Sequence, residues 1–88
     1  MYYVYVLYSK KVNKFYKGYS NDLKKRIFEH NNDKVRSTKF GKPWELIYYE
    51  AFIDKTDARR EELFLKTGKG REKLKLKLKI YLERCLSG

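Results

Sequence analysis

Two short tyrosine-rich stretches, Val4 to Ser9 (VYVLYS) and Tyr16 to Arg26 (YKGYSNDLKKR), stand close together, and the second runs straight into a segment of helical spacing. Tyr, Val and Leu suit a pleated surface, and Tyr2 to Ser9 is too short for an independent helix, so it reads as a strand. Apolar residues on both parities imply cover on both faces, which makes it the central strand of a small sheet. Lys10 to Asn13 is a polar connection of hairpin length, after which Lys14 to Ser20 returns as a second strand. Within it Gly18 marks either a bulge or a close backbone approach. This order sets Tyr5 and Tyr16 on neighbouring antiparallel strands with Arg26 one helical turn beyond. Hydroxyls and a guanidinium can then converge on one anionic group, and phosphate chemistry is the natural reading.

The rest of the chain continues the alternation of elements. Ser20, Asn21 and Asp22 offer an N-cap, and Leu23, Ile27 and His30 follow at helical spacing to about Asn31. Arg26 and His30, four apart, share a face of that helix. Asn32 to Pro43 has little apolar content and reads as a long, mobile basic loop, and Trp44 to Phe52 resumes strand character. Asp54 to Thr56 caps a second helix, Asp57 to Lys66, ended by Thr67-Gly68. Ala58, Glu62 and Leu65 lie on one stripe of it, which turns Glu62 inward; a buried carboxylate is costly unless it is paired or holds a cation. In Gly70 to Leu86 the run LKLKLK alternates like a strand. Against that, Leu74, Leu78, Tyr81, Leu82 and Cys85 form a helical stripe, so one helix is expected, with Leu76 partly exposed or covering a neighbour. The order is β-β-α-β-α-α in a single α+β domain over residues 1–88.

The 22 Lys+Arg against 11 Asp+Glu give a net charge of +11, which attracts a polyanion and makes DNA the leading partner. Charge that serves solubility alone is the plainer alternative. A membrane surface fits less well, because no helix sets a strong Trp/Phe/Leu face against its lysines, and no stretch approaches the ~20 apolar residues of a span. A single cysteine, Cys85, excludes an internal disulfide, and one His with one Cys cannot build a zinc cluster. The first residues lack the pattern of a secretory signal, so a cytoplasmic location is expected. The DNA-gripping candidates are Lys17, the loop residues Lys34, Arg36 and Lys39, and Lys69, Arg71 and Lys73 near the C-terminal helix.

Taken in order, VY at Val4-Tyr5, YKG at Tyr16 to Gly18, NDLKKR at Asn21 to Arg26 with His30 four residues on, AxxxExxLK in Ala58 to Lys66 and then TGKGRE form a specific set. It resembles the GIY-YIG nuclease superfamily, most closely its small stand-alone bacterial members, from Tyr2 to about Lys75. The resemblance implies a three-stranded antiparallel sheet flanked by helices and metal-dependent hydrolysis of a DNA phosphodiester, with magnesium or manganese as the divalent ion. It assigns the motif tyrosines to Tyr5 and Tyr16, the motif glycine to Gly18, the catalytic arginine to Arg26, the position one turn later to His30 and the metal-binding glutamate to Glu62. Tyr3 stands in place of the first motif's glycine and Lys17 in place of the second motif's isoleucine. Glu61 stands where an arginine commonly precedes the glutamate, and the helical stripe selects Glu62.

Such a hydrolysis needs an activated water, a counter-charge for the developing oxyanion and help for the leaving oxygen. Magnesium commonly accepts one or two carboxylates completed by waters and substrate phosphate, so Glu62 suffices. Arg26 offers a planar pair of donors that never loses its charge. A tyrosine, with a reference pKa of about 10, must be helped as a base or must merely orient the water, and either Tyr5 or Tyr16 can serve. His30 is a phosphate contact or proton donor, and Arg26 and Glu62 are expected to face one cleft. Tyr2, Tyr3, Tyr8, Tyr48, Tyr49 and Tyr81 are read as core packing with satisfied hydroxyls. The complete residue set favours an endonuclease, structure-selective in DNA repair or recombination. Two alternatives remain: a nucleic-acid-binding module that kept the fold and lost catalysis, and a basic domain that meets an acidic protein.

Overall fold

The computed structural model describes residues 1–87; Gly88, the last residue of the domain expected over 1–88, lies outside the described residues. Strand β1 (Tyr2–Ser9) is central in a sheet of order β2-β1-β3, antiparallel throughout, with β2 at Lys14–Ser20 and β3 at Glu45–Phe52. Every residue from Val4 to Ser9 is buried, as a strand covered on both faces requires. The hairpin turns at Asn13, whose backbone lies in the left-handed region (φ 52°) and whose Oδ1 accepts the Tyr8 hydroxyl at 2.8 Å.

The register between β1 and β2 runs unbroken, with Tyr5 opposite Gly18 and Leu7 opposite Tyr16. The irregularity falls instead between β1 and β3, at Val6/Leu7. Gly18 is therefore a close approach and not a bulge. A Cβ there would sit 2.6 Å from the Tyr5 hydroxyl oxygen, so the missing side chain makes room for that ring.

Alternation along β1 sorts the core into two sets. Val4 and Val6 pack with Ala58 and Leu65 of α2 (Lys55–Leu65) and Leu74 of α3 (Gly68–Lys77). Tyr5 and Leu7 pack with Trp44 and with Leu23 and Ile27 of α1 (Leu23–Asn31). The helices α1 and α2 thus cover opposite faces, and each buried Val or Leu contributes about 1.5–3 kcal/mol. Asp22, Asp54 and Thr67 cap α1, α2 and α3 by accepting from the backbone N–H groups of Lys25, Thr56 and Gly70.

Two expectations are corrected. Asn32 to Pro43 is folded, not a structureless loop: it holds a 3-10 helix at Arg36–Gly41 in which Thr38 and Gly41 are buried. Its ties are polar and leave no apolar period to read. Trp44 Nε1 donates to the Thr38 carbonyl at 2.7 Å, and the Asn31 amide bonds both backbone groups of Trp44. The C-terminal helix is two helices, α3 and α4 (Lys79–Ser87), broken at Leu78. The break brings Tyr81 edge-on to Tyr8 at 6.4 Å and within 3.3 Å of Glu45. Leu76 is exposed. Among the described residues no helix is long and apolar enough to cross a membrane.

At the α2–α3 junction a Cβ on Gly70 would come 1.9 Å from the Phe64 carbonyl oxygen, whereas nothing lies within 4 Å of one on Gly68. Gly70→Ala should therefore lower stability by about 1–3 kcal/mol, through forced backbone shifts. Gly68→Ala should leave it unchanged or raise it by about 0.5 kcal/mol. Urea unfolding of both variants measures the contrast.

Candidate functional site

Tyr5 lies at the centre of a buried polar chain. Its hydroxyl is 2.9 Å from His30 Nε2, and His30 Nδ1 is 2.7 Å from Thr38 Oγ1, which in turn reaches the Val35 carbonyl at 3.4 Å. The Arg26 guanidinium is within hydrogen-bonding reach of the Tyr5 oxygen and is steadied by Glu29 at 3.2 Å. The Val35 carbonyl can only accept, so Thr38 donates to it and accepts from His30 Nδ1, and His30 Nε2 accepts from the Tyr5 hydroxyl. The imidazole is then neutral. In that assignment, made from hydrogen-bonding capacity, each donor has an acceptor. Tyr16 completes the group, its ring centroid 4.8 Å from that of His30 and 6.3 Å from that of Tyr5.

Burial fixes the charge states. It pushes the Tyr5 phenol up to about 12, with the Tyr16 and Glu62 charges adding and Arg26 opposing. Burial and the Arg26 charge together push His30 down to about 4. His30 is also wholly inaccessible. The expectation that it touches phosphate or donates a proton is therefore corrected, because the 3-10 segment covers it and keeps it neutral. What it contacts is Tyr5.

Glu62 is buried on the stripe of Ala58 and Leu65, as the spacing predicts. Its Oε1 accepts from Arg59 at 2.5 Å and its Oε2 from Lys66 at 3.1 Å. Its neighbour Glu61 faces Glu50 instead, and burial followed by that like charge raises its carboxyl. None of the ion pairs among the described residues joins Arg26 to Glu62. They stand on helices that pack on opposite faces of the sheet. Tyr5 is their common neighbour, since both charges act on its phenol.

A divalent ion fits this donor set in one respect. Glu62 is a hard oxygen donor paired with two cations, and a carboxylate has lone pairs beyond those two bonds. Among the described residues no group of three or more His, Cys, Asp or Glu comes together, so protein ligation would rest on that one carboxylate with waters and phosphate.

The basic candidates divide between surfaces. Lys34, Arg36 and Lys39 are exposed on the segment that covers His30. Lys69, Arg71 and Lys73 are exposed on α3, where Lys73 leans over the Phe64 ring at 6.0 Å while Arg71 turns toward Lys17. Lys17 is half-buried, and burial together with Arg71, Lys66 and Lys75 lowers its pKa. Sequence reasoning missed Thr38, Lys66 and Lys75. Lys75 could have been found from its spacing with Arg71, Leu74 and Leu78, but Thr38 has no local signal. Tyr49, expected in the core, is exposed and tilts against Tyr3 at 6.2 Å, because its parity on β3 faces open solvent. Tyr8, Tyr48 and Tyr81 do have satisfied hydroxyls, on Asn13, Glu50 and Glu45.

A family model described as the GIY-YIG catalytic domain matches residues 1–75. The chain is 39% identical over 75 residues to the UPF0213 protein SSP2268 of Staphylococcus saprophyticus subsp. saprophyticus, covering 84% of this chain and 90% of that one. To the UPF0213 protein CPE1444 of Clostridium perfringens it is 38% identical over 77 residues, 86% of this chain and 82% of that one. The solution NMR structure of the UPF0213 protein BH0048 from Bacillus halodurans matches it with a TM-score of 0.52 at 33% identity, covering 84% of this chain and 82% of that one.

The buried His30 gives the protein a pH signature. Its folded pKa of about 4 lies below its ordinary 6.5, so the unfolded chain binds a proton that the folded protein refuses. The stability from burying a neutral imidazole is complete above about pH 6.5 and is lost as pH falls toward 4. Urea midpoints measured across that window should fall more steeply in the wild type than in His30→Gln. Equal slopes would show that His30 titrates normally.

Proposed function

The chain belongs to the GIY-YIG family of nucleases, and from that premise we propose that it is a metal-dependent DNA endonuclease that hydrolyses phosphodiester bonds in the cytoplasm, structure-selective in DNA repair or recombination. The observation that carries this reading is the Arg26–Tyr5–His30–Thr38 chain, with the Glu62 charge acting on the same tyrosine. Tyr5, Tyr16, Arg26, His30 and Glu62 are its working residues.

Arg26 has a side chain 35% exposed, so its outward N–H groups can meet the phosphate while an inner one stays on Tyr5. Its charge needs no reorganisation as the oxyanion develops, which is what transition-state stabilisation asks for. Tyr16, half-buried, orients the attacking water, and the buried Tyr5 supports its ring from beneath. With its phenol raised to about 12, Tyr5 is a protonated hydrogen-bonding group through the neutral range and not a free phenolate. His30 and Thr38 hold that phenol in one orientation, a positioning role that burial suits. When bound at Glu62, magnesium or manganese would supply Lewis-acid charge to the scissile phosphate and lower the pKa of a bound water. Lys17, Lys34, Arg36, Lys39, Lys69, Arg71 and Lys73 supply the phosphate contacts that hold the DNA.

A second reading has one observation behind it. Arg59 and Lys66 already occupy both Glu62 oxygens, which suits a nucleic-acid-binding module that has given up its metal.

Single-turnover cleavage at saturating DNA, over duplex, nicked, flap and branched substrates with magnesium or manganese, separates the two. Glu62→Gln and Arg26→Ala should each slow cleavage by at least about a hundredfold while changing DNA affinity by less than about threefold. Variants that cut at wild-type rates would remove these residues from the site. A wild-type protein that cuts none of the substrates would leave the binding module as the function. Binding should also weaken steeply with salt, by a slope reduced by about one for each of Lys34, Arg36 and Lys39 changed to Ala; a flat salt response would rule out phosphate contacts as its source.

A further inference from the structure

On the sheet face away from Tyr5 runs a groove of about 950 Å³ between edge strand β2 and the helices α3 and α4. Its floor is aliphatic, from Leu74, Leu78 and Leu82, with the half-exposed ring of Phe15 on one wall. Four cations stand along it, Lys17 on the strand, Arg71 and Lys75 on α3 and Lys79 on α4, against one acid, Glu83 of α4. The strand wall is Phe15 and Lys17, two residues apart on one face of β2, with Asn13 of the hairpin turn beside them. That strand pairs on one side only, so the backbone groups of its other edge are available for pairing.

The chemistry selects among occupants. A second copy of the chain would set one +11 protein against another, with like charges meeting at the rim. A nucleic-acid strand would satisfy the cations but needs aromatic platforms for its bases. Here the floor is leucine, and the one ring, Phe15, already stacks against Tyr8 at 4.9 Å. An extended polypeptide meets every feature. Its main chain pairs with the open edge of β2, alternate apolar side chains enter the leucine floor, and acidic side chains reach the lysines and arginine of the rim.

We propose that this groove docks an acidic segment of a partner protein, added as a strand along β2, with apolar side chains at alternate positions. It is a second surface away from Tyr5: Lys17 and Arg71 at its rim are shared with the proposed DNA contacts, whereas its leucine floor, Lys75 and Lys79 are not. It gives a small domain a means of being recruited by another protein without covering Tyr5.

The test pans a display library of short random peptides against the full chain, then titrates the enriched peptide into isotope-labelled protein. The expected result is a net-acidic consensus with alternating apolar positions that shifts amides of β2, α3 and α4. The double variant Lys75→Glu/Lys79→Glu, both exposed positions, should bind that peptide at least about tenfold more weakly with an unchanged thermal unfolding curve. Leu82→Asp should weaken binding comparably by filling the floor with charge. The proposal fails if no sequence enriches above background, if the enriched peptides lack acidic residues, or if the double variant binds them as well as the wild type. It also fails if a short oligothymidine displaces the peptide from those same amides, which would make the groove a nucleic-acid surface.

Discussion

The hydroxyl of Tyr5 is where the fold is tied together. It belongs to the central strand, it bonds His30 of α1, and through His30 it reaches Thr38 in the segment that would otherwise be a loop. A buried phenol and a buried imidazole each cost several kcal/mol if left without partners, so each makes the other tolerable. The chain must therefore close as a unit. Gly18 on β2 is part of the same constraint, because any side chain there would occupy the space of the Tyr5 ring. Removing one member leaves unsatisfied polar atoms in the next, which is why this cluster is rigid enough to hold Arg26 at its mouth.

Charge sets the second constraint. A protein of +11 gains little from adding cations, yet Glu62 is buried with Arg59 and Lys66, and Lys17 feels that same Lys66 together with Arg71 and Lys75. The Glu62 pairs are partly exposed on the cation side, so Arg59 and Lys66 can exchange the carboxylate for another anion without being buried unpaired. Lys17 is the opposite case. Burial first, and then the charges of Arg71, Lys66 and Lys75, lower its pKa, so that part of the surface favours an anion.

Much of this was legible in the sequence because it rests on periodicity. The buried central strand follows from apolar residues of both parities, and the inward Glu62 follows from its spacing with Ala58 and Leu65. Arg26 and His30 share a helix face for the same reason. What could not be read depends on contacts between distant segments. Thr38 matters only because Asn31 and Trp44 fold its segment over His30, and those bonds are polar and irregular. The split at Leu78 is likewise tertiary, since the LKLKLK run has no breaker and the turn serves to bring Tyr81 onto Tyr8. The motif glycine was legible as a special position, yet whether it bulged or yielded space required the opposing ring.

A sheet of three strands also limits how far apart its two faces can be. Helix α1 brings Arg26 to Tyr5 from one face, and α2 carries Glu62 on the other, with a single layer of backbone between them. In so thin a layer, water is excluded along the central strand while both helices remain open to solvent on their outer sides. A charge on either helix is then felt at Tyr5 through a low-dielectric path, although the two charges never touch. The tyrosine that closes the core is thus also the one whose phenol Arg26 and Glu62 push in opposite directions, both by less than burial does.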